Sequence, residues 1–228
     1  MIKKLLLIII IIILIMYNTC LNYFTYNDNI SYFNVDISNS KYLVNLIHEK
    51  GFIKNPALNF NNASCKVLNF FNISNYCNNF ITTFYNNDFI SKIKNIINEK
   101  ELYFIDPNIE PLSFAIQLYK ENDFMSYHFD TNFSLGKRYT VLIPLYLNEY
   151  NTSYLTIKDK NKNEKKIIID FGEAIVYNGD KVFHKVSKQE EKGERISLII
   201  NLTTNPNYSL LGEYLQKIRN HMFNTYTW

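Results

Sequence analysis

A chain of 228 residues with 47% apolar content is long enough for one domain with its own core, or for one such domain behind a targeting segment. Its net charge of +3 is small and spread along the chain without an arginine-rich run, which excludes the electrostatic footprint of a nucleic-acid binder. Asn, Ile, Lys and Tyr abound while Gly and Pro are scarce, so asparagine-rich stretches carry little meaning, the glycosylation-type triplets at Asn29, Asn62, Asn72, Asn151 and Asn201 included.

Met1-Ile2-Lys3-Lys4 precedes an unbroken apolar run over 5–16, the layout of a secretory signal. The run is shorter than the roughly 20 residues that span a bilayer core, but extension to residue 24 makes an aromatic-flanked anchor. Residues 1–24 are therefore expected to be either a removed signal peptide or a retained membrane anchor over 5–24. In both cases Lys3 and Lys4 stay cytosolic, and the body faces the endoplasmic reticulum lumen or another secretory or exterior compartment. There Cys65 and Cys77 could pair, closing a loop worth ~2–3 kcal/mol, or remain two free thiols.

Residues 25–110 read as a helical and irregular support region. The stretch 25–38 is polar and aromatic without period, a linker. Ser40 caps a helix with Leu43, Leu46 and Ile47 on one face, which Gly51 ends. Short strands and loops are expected over 56–85. A clearer helix opens at Asn87 or Asp88, with Ile90, Ile93, Ile96 and Ile97 at helical spacing, and should pack on the outside of a sheet.

The pattern changes over 111–204, where β-branched and aromatic runs alternate with polar turns. Strands are expected at 114–119, 125–129, 138–147, 154–158, 166–170, 174–177, 182–186 and 195–202, the spacing of an all-β sandwich or barrel. Eight runs suit a jelly roll, a double-stranded β-helix, with helices before it and one after. Pro144 cannot donate to a ladder and marks a bulge or bend in the third run. In the closing segment, 205–228, Ser209 caps a helix carrying Leu211, Leu215, Ile218 and Met222 on one side.

Two of the four histidines stand in the array His128-Phe129-Asp130, a gap of 53 residues, then His184. In an extended strand His128 and Asp130 project to the same face, two residues apart. A second strand can bring His184 opposite them. Two imidazoles and one carboxylate form one face of an octahedron, the donor set of non-haem Fe(II) with open positions for substrates. Eleven residues further on, Arg195 opens an apolar run, so its guanidinium is expected to point inward, where the fork can grip a carboxylate. Ser197 lies on the same face.

These residues resemble the 2-oxoglutarate and Fe(II)-dependent dioxygenases, in particular the prolyl 4-hydroxylase-like branch (alpha-subunit catalytic domain), over about 112–203. The similarity rests on Leu118-Tyr119-Lys120 through Phe124 to His128-Phe129-Asp130, on Arg138-Tyr139-Thr140-Val141-Leu142 to Tyr146-Leu147-Asn148, and on Phe171-Gly172-Glu173-Ala174 with His184-Lys185-Val186 and Gly193-Glu194-Arg195. It implies that His128, Asp130 and His184 ligate iron and that Arg195 binds the far carboxylate of 2-oxoglutarate. Tyr119, Thr140, Tyr146 and Ser197 match positions lining the cosubstrate pocket. Asn122 and Met125 replace a glycine and a tyrosine of the branch, and Asn151-Thr152-Ser153 replaces a Gly-Gly-Glu. Collagen-type enzymes carry Lys where this chain has Arg195.

The resemblance further implies consumption of O2, release of succinate and CO2, and ascorbate to restore stranded ferric iron. The substrate it points to is a peptide or protein hydroxylated at proline or lysine. A hydroxylase of a small molecule or glycan, and a metal-binding jelly roll without oxygenase activity, are the alternatives. Arg195 separates the last from the others, because a structural metal has no use for a guanidinium beside its open positions.

Overall fold

The computed structural model describes residues 28–38, 40–50, 53–54 and 63–222. In chain order they form β1 (Ile30–Asn34), α1 (Ser40–Lys50), β2 (Ile53–Lys54), β3 (Ala63–Ser64), β4 (Lys66–Leu68), α2 (Phe70–Phe84), α3 (Asn87–Ile97) and β5 (Tyr103–Phe104). After the 3-10 turn Pro111–Ser113 come β6 (Phe114–Tyr119), β7 (Phe124–His128), β8 (Arg138–Leu147), β9 (Leu155–Lys158) and β10 (Glu164–Ile167). Then follow β11 (Glu173–Asn178), β12 (His184–Val186), β13 (Arg195–Thr203) and α4 (Leu210–Met222).

The strands build two antiparallel sheets. The larger runs β1-β11-β8-β13-β6-β4-β2, with β5 beside β13; the smaller runs β10-β9-β12-β7-β3. Together they make the jelly roll, mainly β, with α1–α3 before its central strands and α4 after them. β8 and β13 are apolar on both faces because both faces are covered. Val141, Ile143, Leu145, Ile196, Leu198 and Ile200 pack outward against the helices. Leu142, Ile175 and Tyr177 pack inward against Leu155, Ile157 and Ile167 of the smaller sheet. A side chain of alternate parity on these strands is thus delivered between the sheets.

Several expectations change. Residues 30–34, read as linker, form an edge strand paired with β11, a partner about 140 residues away that no local pattern reveals. The stretch read as short strands and loops contains α2, opened by a reciprocal bond pair between Asn69 and Asn72 and interrupted at Cys77, whose φ is −156°. Cys65 and Cys77 are free thiols. The membrane anchor, and the lumenal or exterior address drawn from it, are corrected: among the described residues no helix is long and apolar enough to cross a membrane. Residues 1–24 themselves lie outside the described residues.

Candidate functional site

β7 ends and β12 begins with a histidine, and antiparallel pairing sets His184 directly opposite His128. Their rings lie 4.2 Å apart between centroids, inclined at 54°. Each histidine holds a backbone carbonyl through Nδ1, His128 to Ser126 O and His184 to Val182 O, both at 2.8 Å. Those bonds fix the ring orientation and turn both Nε2 atoms to the same space.

Asp130 completes the group from the loop after β7. Its backbone N–H donates to Gly179 O at 2.8 Å, and its Oδ2 accepts a short bond from the Thr140 hydroxyl. The other oxygen, Oδ1, is left facing His128 Nε2 at 3.7 Å and His184 Nε2 at 3.8 Å. One ligand atom from each residue lies within 4.8 Å of the others, a spacing that a divalent metal can close. Burial, and then His128, push the His184 imidazole down to about 4, so it is in the neutral, ligating form at neutral pH. Burial opposes ionisation of Asp130, but His184, His128 and Arg138 outweigh it and hold the carboxyl below its usual value.

Arg195 opens β13, paired with Tyr119 on β6 and Leu147 on β8. It is only 4% exposed, and among the described residues its guanidinium makes no ion pair. Its Nε donates to Ser197 Oγ at 3.0 Å, which leaves the two terminal nitrogens for something else. It lines a cavity of about 260 Å³ with Ser153, Leu155 and Ile167. Burial pulls its pKa below the ordinary arginine value, against the opposing pull of Tyr119 and Tyr177. An uncompensated buried cation costs several kcal/mol, and an acid bound there would remove that cost.

Thr140 bridges Asp130 and Asn201, and Ser197 receives the Arg195 Nε–H. Tyr119 is buried beside Arg195, its hydroxyl donating to Gln117. Tyr146 is not brought here. The β8–β13 register shifts between Pro144 and Tyr146, so Tyr146 faces the helices, packed on their apolar cluster and edge-on to His48. The bulge at this proline reverses the alternation that a straight strand would have kept.

Two further residues belong to the group. Tyr177, opposite Thr140 on β11, places its hydroxyl 3.4 Å from His184 Nε2. Burial first, then the charge of Asp130, keep its phenol protonated far above the ordinary range, against the pull of Arg195 and Arg138. Gly179 approaches so closely that a Cβ there would overlap Asp130 Oδ2 and the Thr140 hydroxyl. A tyrosine closing an apolar run reads as core, but the Asn178-Gly179-Asp180 turn just before His184 was a usable signal for close backbone approach.

No protein-family model and no curated protein matches the sequence. Among solved structures the chain is similar to a prolyl-4-hydroxylase from Pseudomonas putida, with 13% identity, TM-score 0.56, and 80% of this chain and 95% of that one covered. It is similar to an oxidoreductase of the 2OG-Fe(II) oxygenase family from Burkholderia pseudomallei, with 12% identity, TM-score 0.58, and coverage of 77% and 83%. A third is HygX from Streptomyces hygroscopicus, solved with nickel, 2-oxoglutarate and hygromycin B, with 6% identity, TM-score 0.54, and coverage of 81% and 86%. The chain has the fold of the 2-oxoglutarate/Fe(II) oxygenases. At these identities that likeness fixes the architecture and leaves the reaction to be argued from the site.

Proposed function

We propose that this chain is a 2-oxoglutarate- and Fe(II)-dependent dioxygenase of the prolyl 4-hydroxylase-like kind, hydroxylating proline or lysine in a peptide or protein. The observation that carries this reading is the pairing of the His128, Asp130 and His184 cluster with a buried guanidinium that has no ion-pair partner among the described residues. A site that only held a metal would gain nothing from a buried arginine.

His128 and His184 through Nε2, and Asp130 through Oδ1, would hold the iron. Thr140 and the backbone of Gly179 keep Asp130 in place for that role. The two terminal nitrogens of Arg195 would bind the distal carboxylate of 2-oxoglutarate, with Ser197 fixing the guanidinium and Tyr119 bounding the pocket. When bound, Fe(II), 2-oxoglutarate and O2 supply the oxidising power, with succinate and CO2 as by-products and ascorbate as the reductant that recovers spent iron. Buried apolar residues between the sheets, Ile157, Ile175 and Val182 among them, exclude water from the inner side of the triad.

Anaerobic visible titration with Fe(II) and then 2-oxoglutarate tests the reading, run beside Arg195→Ala. A saturable charge-transfer band should require both additions. In Arg195→Ala the 2-oxoglutarate needed should rise at least ~tenfold, the worth of one charge-assisted bidentate contact, while iron still binds. Tight metal binding without a band in the wild type would make this a metal-binding jelly roll without oxygenase activity. Turnover with proline- and lysine-containing peptides then distinguishes a peptide hydroxylase from one acting on a small molecule or glycan.

A further inference from the structure

A second cleft lies on the opposite side of the smaller sheet from the triad. It has a volume of about 810 Å³ and crosses β7, β12, β9 and β10, lined by Lys166, Lys185 and Lys188 against one acidic group, Glu164. Strand pairing sets Thr156 opposite both Lys185 and Lys166, so the three form one row across the sheet with the threonine in the middle. Thr156 is 3% exposed, and its hydroxyl has no hydrogen-bond partner among the described residues. A hydroxyl buried in that way costs about 1–3 kcal/mol unless a partner meets it.

The lysines are held in place by rings. Lys166 Nζ sits 3.8 Å from the Tyr154 ring centre, and Lys158 and Lys185 Nζ each sit 4.7 Å from that of Tyr127. Tyr127 is itself stacked on Phe183 at 5.0 Å. These rings are engaged by ammonium groups and by each other, which leaves them less free to stack on a nucleobase or a sugar. What the cleft offers is ordered positive charge and a hydroxyl.

Glu164 decides the class of anion. Its carboxylate reaches across β9 to Lys185, at 3.0 and 3.1 Å, and so stands among the lysines. A polyphosphate or polysulfate would only be repelled by it. An extended peptide brings carboxylates for the lysines together with backbone N–H groups for Glu164 and a carbonyl or N–H for Thr156. We propose that this cleft docks an acidic stretch of an extended peptide. Lys185 and Tyr127 adjoin His184 and His128 in sequence but face the other way, while Lys166 and Tyr154 also border the cavity that Arg195 lines.

The test is fluorescence anisotropy of a labelled peptide of alternating Glu and Gly with the full chain. Saturable binding that weakens with added salt is expected. Lys166→Glu should weaken it at least ~tenfold, whereas Lys165→Glu, the same charge change on the other face of β10, should alter it less than ~twofold. Thr156→Val, close in volume, should weaken it several-fold. No saturable binding by the wild type, equal losses for the two lysine variants, an unchanged affinity in Thr156→Val, or tighter binding of oligothymidylate or a heparin fragment would each overturn the proposal.

Discussion

His184 Nε2 has one lone pair, and the Tyr177 hydroxyl is 3.4 Å from it. Because Nδ1 is committed to a carbonyl, Nε2 is the acceptor and the phenol the donor. A metal ion needs the same lone pair, so Tyr177 competes with it. Tyr177→Phe should therefore tighten Ni(II) or Zn(II) binding by about two- to fivefold, the worth of one neutral hydrogen bond of ~0.5–1 kcal/mol. A competition titration with a chelating dye measures this, and unchanged or weaker affinity would remove the phenol from that role. The triad and Arg195 were legible because strand alternation and an apolar flank determine where each side chain points. Tyr177 was not, since nothing in an Ala-Ile-Val-Tyr run separates a core aromatic from one whose hydroxyl meets a ligand atom.

At the scale of elements, legibility followed periodicity. β6 and β8 have the bounds read from sequence, and α3 begins at Asn87. Tyr146 is placed at the pocket by the family resemblance alone, not by its strand alternation. The proline announced a bulge, but its consequence for the residue two positions later depends on which residue the partner strand skips. The joint between α2 and α3 rests on Asn86, whose side chain accepts from Phe89 N at 2.9 Å and donates to Thr82 O and Thr83 O. One side chain thus caps the start of one helix and meets the last carbonyls of the other. Asn86→Ala should cost about 1–2 kcal/mol in urea unfolding while leaving metal and 2-oxoglutarate affinities unchanged. A loss of affinity alongside the stability would show that this joint supports the site.

The whole molecule is tied together at Glu110. It is 2% exposed and accepts a two-pronged contact from Arg138 at 2.5 and 3.0 Å, while Arg219 of α4 lies 3.4 Å away. The next residue, Asn220, donates to Ile109 O, so α4 is fastened to the chain entering β6. Burial would raise the Glu110 carboxyl, but Arg138 and Arg219 hold it below its usual value. A lowered folded pKa contributes stability that is complete above the unfolded value of about 4.3 and is lost as pH falls through the folded one. Glu110→Gln should cost ~3–5 kcal/mol at neutral pH by stranding Arg138, and should flatten the acid limb of the stability profile. Urea unfolding across pH checks both; an unaltered acid limb would place that limb on other carboxylates.

The larger sheet also imposes an order in time. Its central strand is β13, which is the last strand among the described residues and holds β8 on one side and β6 on the other. While the chain is being made, the apolar faces of β6 and β8 have no partner between them until residue 203 has emerged. Local helices can form early, but the sheet must wait, and such a topology folds slowly with apolar edges uncovered. Arg195 is the first residue of that same strand. On the proposed reading, the guanidinium that would bind the acid is therefore put in place in the step that closes the sheet, and a partly made chain would have no such receptor.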